Sequence, residues 1–368
     1  MSSFIQHRSF FFEGLASDLL EVFLDEPFVF LLESSLVDVH LGRYSFLGFD
    51  PFEVFQAKDL RGLNRLEKKF DSYANLFRSS GPVFPSGIVG YLGYDQGVAP
   101  QIHFGFYDRI LVVDHLKKRL SIYSSGMPEK SFAQRRRRAK QRLQEVMQRL
   151  KNGRLEIGSS SEGKIQLKSN FSKKGYGSAV KKALDHIAQG DIYQVNLSQK
   201  FSFSFSHQAP HPIKIYQKLQ SLSPSCFGGY LDVGKFQIIS SSPERFLHLQ
   251  GRNVETRPMK GTRPRGEDVS QDAKLEQDLL KSRKDIAELL MITDLERNDL
   301  GQVCEYGSVK VKDMRTLEKY QTVFQATSTI IGKLRKDKNG FDLLRACFPG
   351  GSITGCPKIR AMEIIRKL

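Results

Sequence analysis

The stretch GDIYQVNLSQKFSFSFS, residues 190–206, decides the fold class. From Val195 onward its apolar residues fall only at odd positions: Val195, Leu197, Phe201, Phe203 and Phe205. Even positions hold Gln194, Asn196, Ser198, Lys200, Ser202 and Ser204. Period two predicts a half-buried strand in an antiparallel sheet. Its polar face either lines a site or meets water, and the pattern leaves both open. Immediately upstream the period changes. Tyr176, Ala179, Val180, Ala183, Leu184, Ile187 and Ala188 share one helical face, Ser172 is placed to cap it, and Gly190 ends it.

Further out, FVFLLES (28–34), RYSFLGF (43–49), IVGYLGYD (88–95) and RILVVD (109–114) read as strands, aromatic or β-branched and broken by Gly, Asp and Pro. A second helix is predicted from Ser282, where SRKD puts Asp285 at the capping-box position. Strands mixed with helices give an α+β fold. A Gly- and Ser-rich run, GSSSEGK at 158–164, reads as a loop. It divides an N-terminal region, 1–155, from a second region, 165–368.

The chain has 368 residues, 40% hydrophobic, with net charge +16. Such charge raises nucleic-acid binding, but no zinc-finger, RNP or homeodomain pattern is visible. The run Arg135–Arg138 opens a helix whose Leu143, Val146, Met147 and Leu150 follow helical spacing. Its basic residues read as a solvated face. Cys226, Cys304, Cys347 and Cys356 form no CxxC pair, so neither a zinc site nor a disulfide framework is indicated. No secretory signal opens the sequence, and no apolar run is long enough to span a bilayer. A soluble, cytoplasmic protein with no membrane or nucleic-acid partner is expected.

ETRPMKGTRPRG, residues 255–266, holds Lys260 among Arg257, Arg263 and Arg265. Two glycines and two prolines predict a tight turn. Such a cluster reads as a polyanion site or as a lysine whose charge is discouraged, hence a nucleophile. Glu288 lies within the apolar run IAELLMI. It is either an exposed helix edge or a metal or substrate contact.

Several local patterns stand together in order. FLLESS (30–35), GRYSFLGFDP (42–51) and GYLGYD (90–95) precede GDIYQVNLSQ (190–199). SSPERF (241–246), ETRPMKGTRPRG, KDIAELLMITDLERNDLG (284–301) and PGGSITGCPKIRAMEII (349–365) follow. Together they resemble the chorismate-utilising enzymes. That family includes component I of anthranilate synthases and of aminodeoxychorismate synthases, and, more distantly, isochorismate and salicylate synthases.

The resemblance implies layered antiparallel sheets flanked by helices, and Mg²⁺ holding the ring carboxylate of chorismate. It makes Glu244 the general acid for the leaving C4 hydroxyl, Glu288 a Mg²⁺ ligand, and Gly261 and Thr262 substrate contacts. Gln194 stands where the water-adding members carry a lysine, and glutamine cannot accept that proton. Lys260 matches the nucleophilic lysine of the aminodeoxychorismate branch. Anthranilate synthases have a small residue there, and Asn196 and Leu197 also look like the former branch. Gln325 replaces a histidine of many members.

Component I of an aminodeoxychorismate synthase is therefore the expected function, with ammonia supplied by a glutamine amidotransferase subunit. Anthranilate synthase component I is the alternative enzyme. The LLES and GRYS motifs imply an L-tryptophan pocket made by Ser34, Arg43, Tyr44, Ser45 and Phe46. Its other wall, Cys226–Gly228, departs from the usual Pro-containing sequence. Family members continue beyond the helix of PKIRAMEIIRKL with a tyrosine, an arginine, a Gly-rich turn and another Mg²⁺ glutamate. The expectation is a C-terminally incomplete chain, with a non-catalytic binding protein as the alternative of another class.

Overall fold

The computed structural model describes residues 4–77, 84–94, 100–153, 166–205 and 209–368. The expected loop at 158–164 lies outside them. The fold is α+β, with antiparallel sheets and helices. Two compact units form, and they are not separated by a single cut. Met1–Ser161 joins Pro210–Pro243, while Glu162–Ala209 joins Glu244–Leu368. The linear division at 155–165 therefore misplaces one piece. Strand Phe227–Asp232 pairs with Phe30–Glu33 on one edge and Gln237–Ser242 on the other, so its hydrogen bonds tie it to the first unit.

In the first unit seven strands pair in the order Gln6–Phe11, Arg119–Ser124, Arg109–Asp114, Tyr44–Gly48, Phe30–Glu33, Phe227–Asp232, Gln237–Ser242. Leu31, Leu47, Leu111 and Ile122 from this sheet pack with Val146 of helix Phe132–Asn152 and with Ile213 and Tyr216 of helix Pro212–Leu222. The arginine-rich helix meets the expectation of a solvated basic face in part: Arg136 and Arg137 are exposed. Arg135 is buried and donates to the Ser125 carbonyl. Arg138 reaches Asp108 and Arg142 reaches Asp50.

In the second unit, Val323–Lys333 is the central strand of a five-stranded sheet. Lys310–Lys319, Asn253–Arg257 and Met259–Pro264 all pair with it, and Arg245–Gln250 extends the sheet. ETRPMKGTRPRG is thus mostly strand, interrupted at Pro258, rather than a tight turn. Proline has no amide hydrogen for the ladder, so the break falls there. Helix Arg283–Gly301 packs on this sheet, with Leu289 against Phe324 and Ala326. Ser282 caps it by accepting from the Asp285 amide.

The opening stretch departs most from expectation. Only Gln194–Val195 and Phe201–Ser202 form strand pairs, with Gly355–Cys356 and Lys168–Ser169 respectively. Phe201, Phe203 and Phe205 are 54%, 43% and 38% exposed. Alternation defines two faces, but burial needs an opposing surface, and none of the described residues covers this one. Upstream, Ser172 caps helix Lys173–Ala188 as expected. Ala179 and Ala183 are buried on its apolar face, while Leu184 and Ile187 of the same face are exposed.

Candidate active site

The second unit gathers Lys260, Glu244, Glu288, Glu296 and Ser352 around one charge cluster. Lys260 pairs with Ala326 at the middle of the sheet. The register then slips, and Thr262 faces Gln325. Gly261 makes that slip: its φ is +82°, and a methyl there would lie 2.9 Å from Leu279 Cδ1 and 3.0 Å from Asp285 Cβ. A side chain is excluded by both backbone conformation and space. Thr262 Oγ1 lies 3.4 Å from Gln325 Nε2.

Lys260 Nζ donates to the Ser352 carbonyl at 2.6 Å and to Ser352 Oγ at 3.1 Å. That hydroxyl in turn donates to Glu244 Oε2 at 3.3 Å. Asn196 Nδ2 donates to the same Ser352 carbonyl at 3.2 Å. Burial lowers the Lys260 ammonium pKa below its ordinary value, against the opposing pull of Glu244, Glu288 and Glu296. Burial likewise raises the Glu244 carboxyl, opposed by Ser352, Lys260 and the Met259 amide. The acid and the amine are thus both pushed toward their neutral forms.

The expected cause of the lysine's state needs correcting. Arg257 binds Glu318, Arg263 binds Asp278 and Asp285, and Arg265 binds Asp272. Each guanidinium is neutralised by acid, so desolvation discourages the Lys260 charge and the arginine cluster does not. Neighbours in sequence lie on a strand whose side chains alternate between faces, so proximity along the chain misleads here.

Glu296, which sequence reasoning passed over, is 6% exposed. Its carboxyl is pushed up to about 8 by burial, with Glu244 and Asp299 adding to the rise and the Thr256 hydrogen bond opposing it. Thr256 Oγ1 lies 2.7 Å from Glu296 Oε2 and 2.6 Å from the Phe246 carbonyl. A hydroxyl has one hydrogen for these two oxygens. Both bonds are made when protonated Glu296 donates to Thr256 and Thr256 donates to Phe246. The available signal was the glutamate of ITDLERND, two turns beyond Glu288 on the same helix.

Glu288 is half-buried, with Oε1 3.7 Å from Lys284 Nζ. Lys358 binds Asp299 at 2.5 Å and the Cys347 carbonyl at 3.0 Å, while Arg360 binds Asp191 and Glu363. Lys358 and Arg360 are therefore both engaged internally. Gln194 Oε1 and Gln325 Oε1 are buried without a hydrogen-bond partner among the described residues.

The second expected site lies in the first unit. Strands Phe30–Glu33, Tyr44–Gly48 and Phe227–Asp232 are neighbours there. Ser34 Oγ lies 2.8 Å from the Cys226 carbonyl and 3.1 Å from the Tyr44 carbonyl. Ser45 Oγ accepts from the Ser34 amide at 3.1 Å and meets His115 Nε2 at 2.7 Å. Arg43 binds Asp114 through two nitrogens and stacks on Tyr44. Phe46 packs edge-on against Phe84. The structure brings these residues together, but their polar atoms bind protein.

The partly buried lysine–serine–glutamate array lies within a family match that spans most of the chain. Residues 31–368 match the model of the chorismate binding enzymes. The chain belongs to that family. Among its relatives, anthranilate synthase component 1 of Thermus thermophilus is 36% identical, covering 93% of this chain and 77% of the relative. Aminodeoxychorismate synthase component 1 of Bacillus subtilis is 35% identical, covering 89% and 75% respectively. The crystal structure of anthranilate synthase component I from Streptococcus pneumoniae superposes with TM-score 0.74 at 27% identity, over 90% of this chain and 78% of that one. The family and its use of chorismate follow. Identities of 36% and 35% do not separate the two amino-transferring reactions.

Proposed function

We propose that this chorismate-binding enzyme is component I of an aminodeoxychorismate synthase, feeding p-aminobenzoate and folate synthesis. The observation that carries the reading is Lys260 itself. A desolvated amine sits across one hydroxyl from a desolvated carboxyl. An amine attacks only when neutral, and an acid must hold its proton to expel a hydroxyl.

Lys260 adds to C2 of chorismate while Glu244 gives its proton to the C4 hydroxyl, which leaves as water. The ring double bond shifts with that displacement. Ammonia then adds at C4, the double bond shifts back, and the C2–Nζ bond breaks to release 4-amino-4-deoxychorismate and the lysine. Gly261 and Thr262 hold the substrate beside this amine. Glu288 is a half-exposed carboxylate beside Lys260, and one or two carboxylates with substrate oxygens suffice for Mg²⁺. Among the described residues no three acidic, His or Cys side chains are placed to hold a metal ion by themselves, and Glu288 with the substrate carboxylate would hold it. The ion, when bound, supplies positive charge opposite that carboxylate. A separate glutamine amidotransferase would supply the ammonia.

The test is turnover of chorismate by the purified chain with Mg²⁺ and ammonium, with products separated by chromatography. Aminodeoxychorismate is the expected product, and its absence overturns the reading. Anthranilate would instead favour the reaction named for the Thermus relative.

Tryptophan binding at Ser34 and Arg43–Phe46 is a secondary reading, supported by the adjacency of their strands. The chain contains no tryptophan, so added indole is the only such fluorophore. A rise in its anisotropy on adding protein is expected, and an unchanged signal removes the pocket.

A further inference from the structure

Ser352 is 92 residues from Lys260 and 108 from Glu244 along the chain, and its hydroxyl meets both. The turn that carries it, Gly351–Ile353, is anchored on each side. Thr354 Oγ1 donates toward the Gly350 carbonyl at 3.0 Å, and Asn196 reaches the Ser352 carbonyl. Ser352 is 6% exposed, so bulk water has little access to it. A serine hydroxyl offers one hydrogen and two lone pairs. Here a lone pair faces the Lys260 donor and the hydrogen faces the Glu244 acceptor.

As ammonium and carboxylate, Lys260 and Glu244 would each be in the wrong state for their proposed tasks. Moving one proton corrects both. We propose that Ser352 relays a proton from Lys260 to Glu244, making the nucleophile and the acid ready in one step. The inference rests on the roles given to those two residues under the proposed function.

The step balances. One Lys260 N–H bond breaks as that proton joins Ser352 Oγ, and the Ser352 O–H bond breaks as its proton joins Glu244 Oε2. Ammonium becomes amine, carboxylate becomes carboxylic acid, and the hydroxyl is regenerated. Charges of +1 and −1 become zero and zero. A second Lys260 N–H stays on the Ser352 carbonyl at 2.6 Å and keeps the amine in place. Burial lowers the pKa of the amine and raises that of the carboxyl, and both shifts assist the transfer.

The experiment compares the full-length wild type with S352A and S352T in the chorismate, Mg²⁺ and ammonium assay. Trinitrobenzenesulfonate labelling of Lys260, read by peptide mass mapping at pH 7 and pH 10, is run alongside without substrate. S352A removes one oxygen and keeps every backbone bond of the turn, so it should fold. The expected result is a fall in kcat of about a hundredfold or more for S352A, the scale of acid–base assistance. KM for chorismate should stay within about threefold, and S352T should recover most of the rate because it keeps a hydroxyl. Lys260 in S352A should label more slowly than in the wild type at pH 7 but equally fast at pH 10, where solvent rather than the relay removes its proton.

Three results would each overturn the relay. S352A could keep more than a third of wild-type kcat. S352A and S352T could lose rate equally. Labelling of S352A could stay slower than the wild type at pH 10 as well, which would make Ser352 only a brace for the lysine. The overall reaction is judged separately, by the wild-type product. If that product is anthranilate, the proposed function fails while the S352A and S352T comparison on anthranilate still decides the relay. A wild type that turns nothing over removes both.

Discussion

Arg109 and Lys260 are both cations taken out of water, one in each unit; burial lowers the pKa of both, but their partners differ. Arg109 is 2% exposed and binds Asp50 at 3.0 Å and Glu145 at 2.9 Å. Its guanidinium also stacks on Phe49, 4.1 Å from the ring centre. Arg138 and Arg142 extend the network to Asp108 and Asp50. Each buried charge there has an opposite partner, and the network locks helix Phe132–Asn152 onto its sheet. Around Lys260 the polar partners are a carbonyl and a hydroxyl, which satisfy hydrogen bonds without cancelling charge. Glu296 has a threonine hydroxyl as its hydrogen-bond partner. Burial pushes both cations toward neutrality, but a guanidinium starts far above the range of an amine and keeps its charge, whereas the amine starts lower. A fixed cation suits a brace; a titratable amine suits chemistry.

The contrast can be broken at Lys260 first. K260A should reduce aminodeoxychorismate formation about a thousandfold or more, since the covalent step has no substitute. Its melting temperature should not fall by more than a few degrees, because a poorly solvated amine is removed rather than an ion pair. A rate for K260A near that of the wild type would sink the covalent role.

Glu296 sharpens the contrast through pH. The folded carboxyl keeps its proton up to about pH 8, while the unfolded one loses it near 4.5. Between those values the folded state binds one more proton, so this group's contribution to stability falls as pH rises. That contribution is full below about 4.5 and gone above about 8. E296Q, neutral at every pH, should therefore gain stability relative to wild type across the window, by up to about 5 kcal/mol. Urea unfolding followed by circular dichroism at a series of pH values would show it. A constant gap between the two proteins would mean Glu296 is already ionised in the fold.

Arg109 should behave in the converse way. R109M leaves Asp50 and Glu145 short of a partner and should cost about 2–3 kcal/mol of stability. Chorismate turnover per folded molecule should be unchanged. A specific loss of rate would mean the two clusters do not divide structure from chemistry as described. The smallest expected effect is at Gly261, where G261A should cost about 1–3 kcal/mol through its positive φ and the close Leu279 and Asp285 contacts. The rate should fall with it, because the slip beside Lys260 is lost. A variant of wild-type stability would show that the strand can straighten at no cost.

The sequence by itself determined the local elements and the chemical inventory. Ser172 and Ser282 cap their helices because a hydroxyl before a helix accepts one of its free amides. Lys260, Glu244 and Glu288 stood out by residue type within ordered motifs, and all three fall in the same charge cluster. Tertiary structure alone decided what those groups experience. Desolvation depends on what packs around a side chain, so the arginines adjacent in sequence contributed nothing to Lys260, while Ser352, distant in sequence, touches it. Glu296 took its meaning only when Thr256 and Phe246 closed over it. The phenylalanines of residues 201–205 alternate as a strand should, yet stay exposed. A period specifies which residues share a face, whereas burial also requires an opposing surface that the period does not encode.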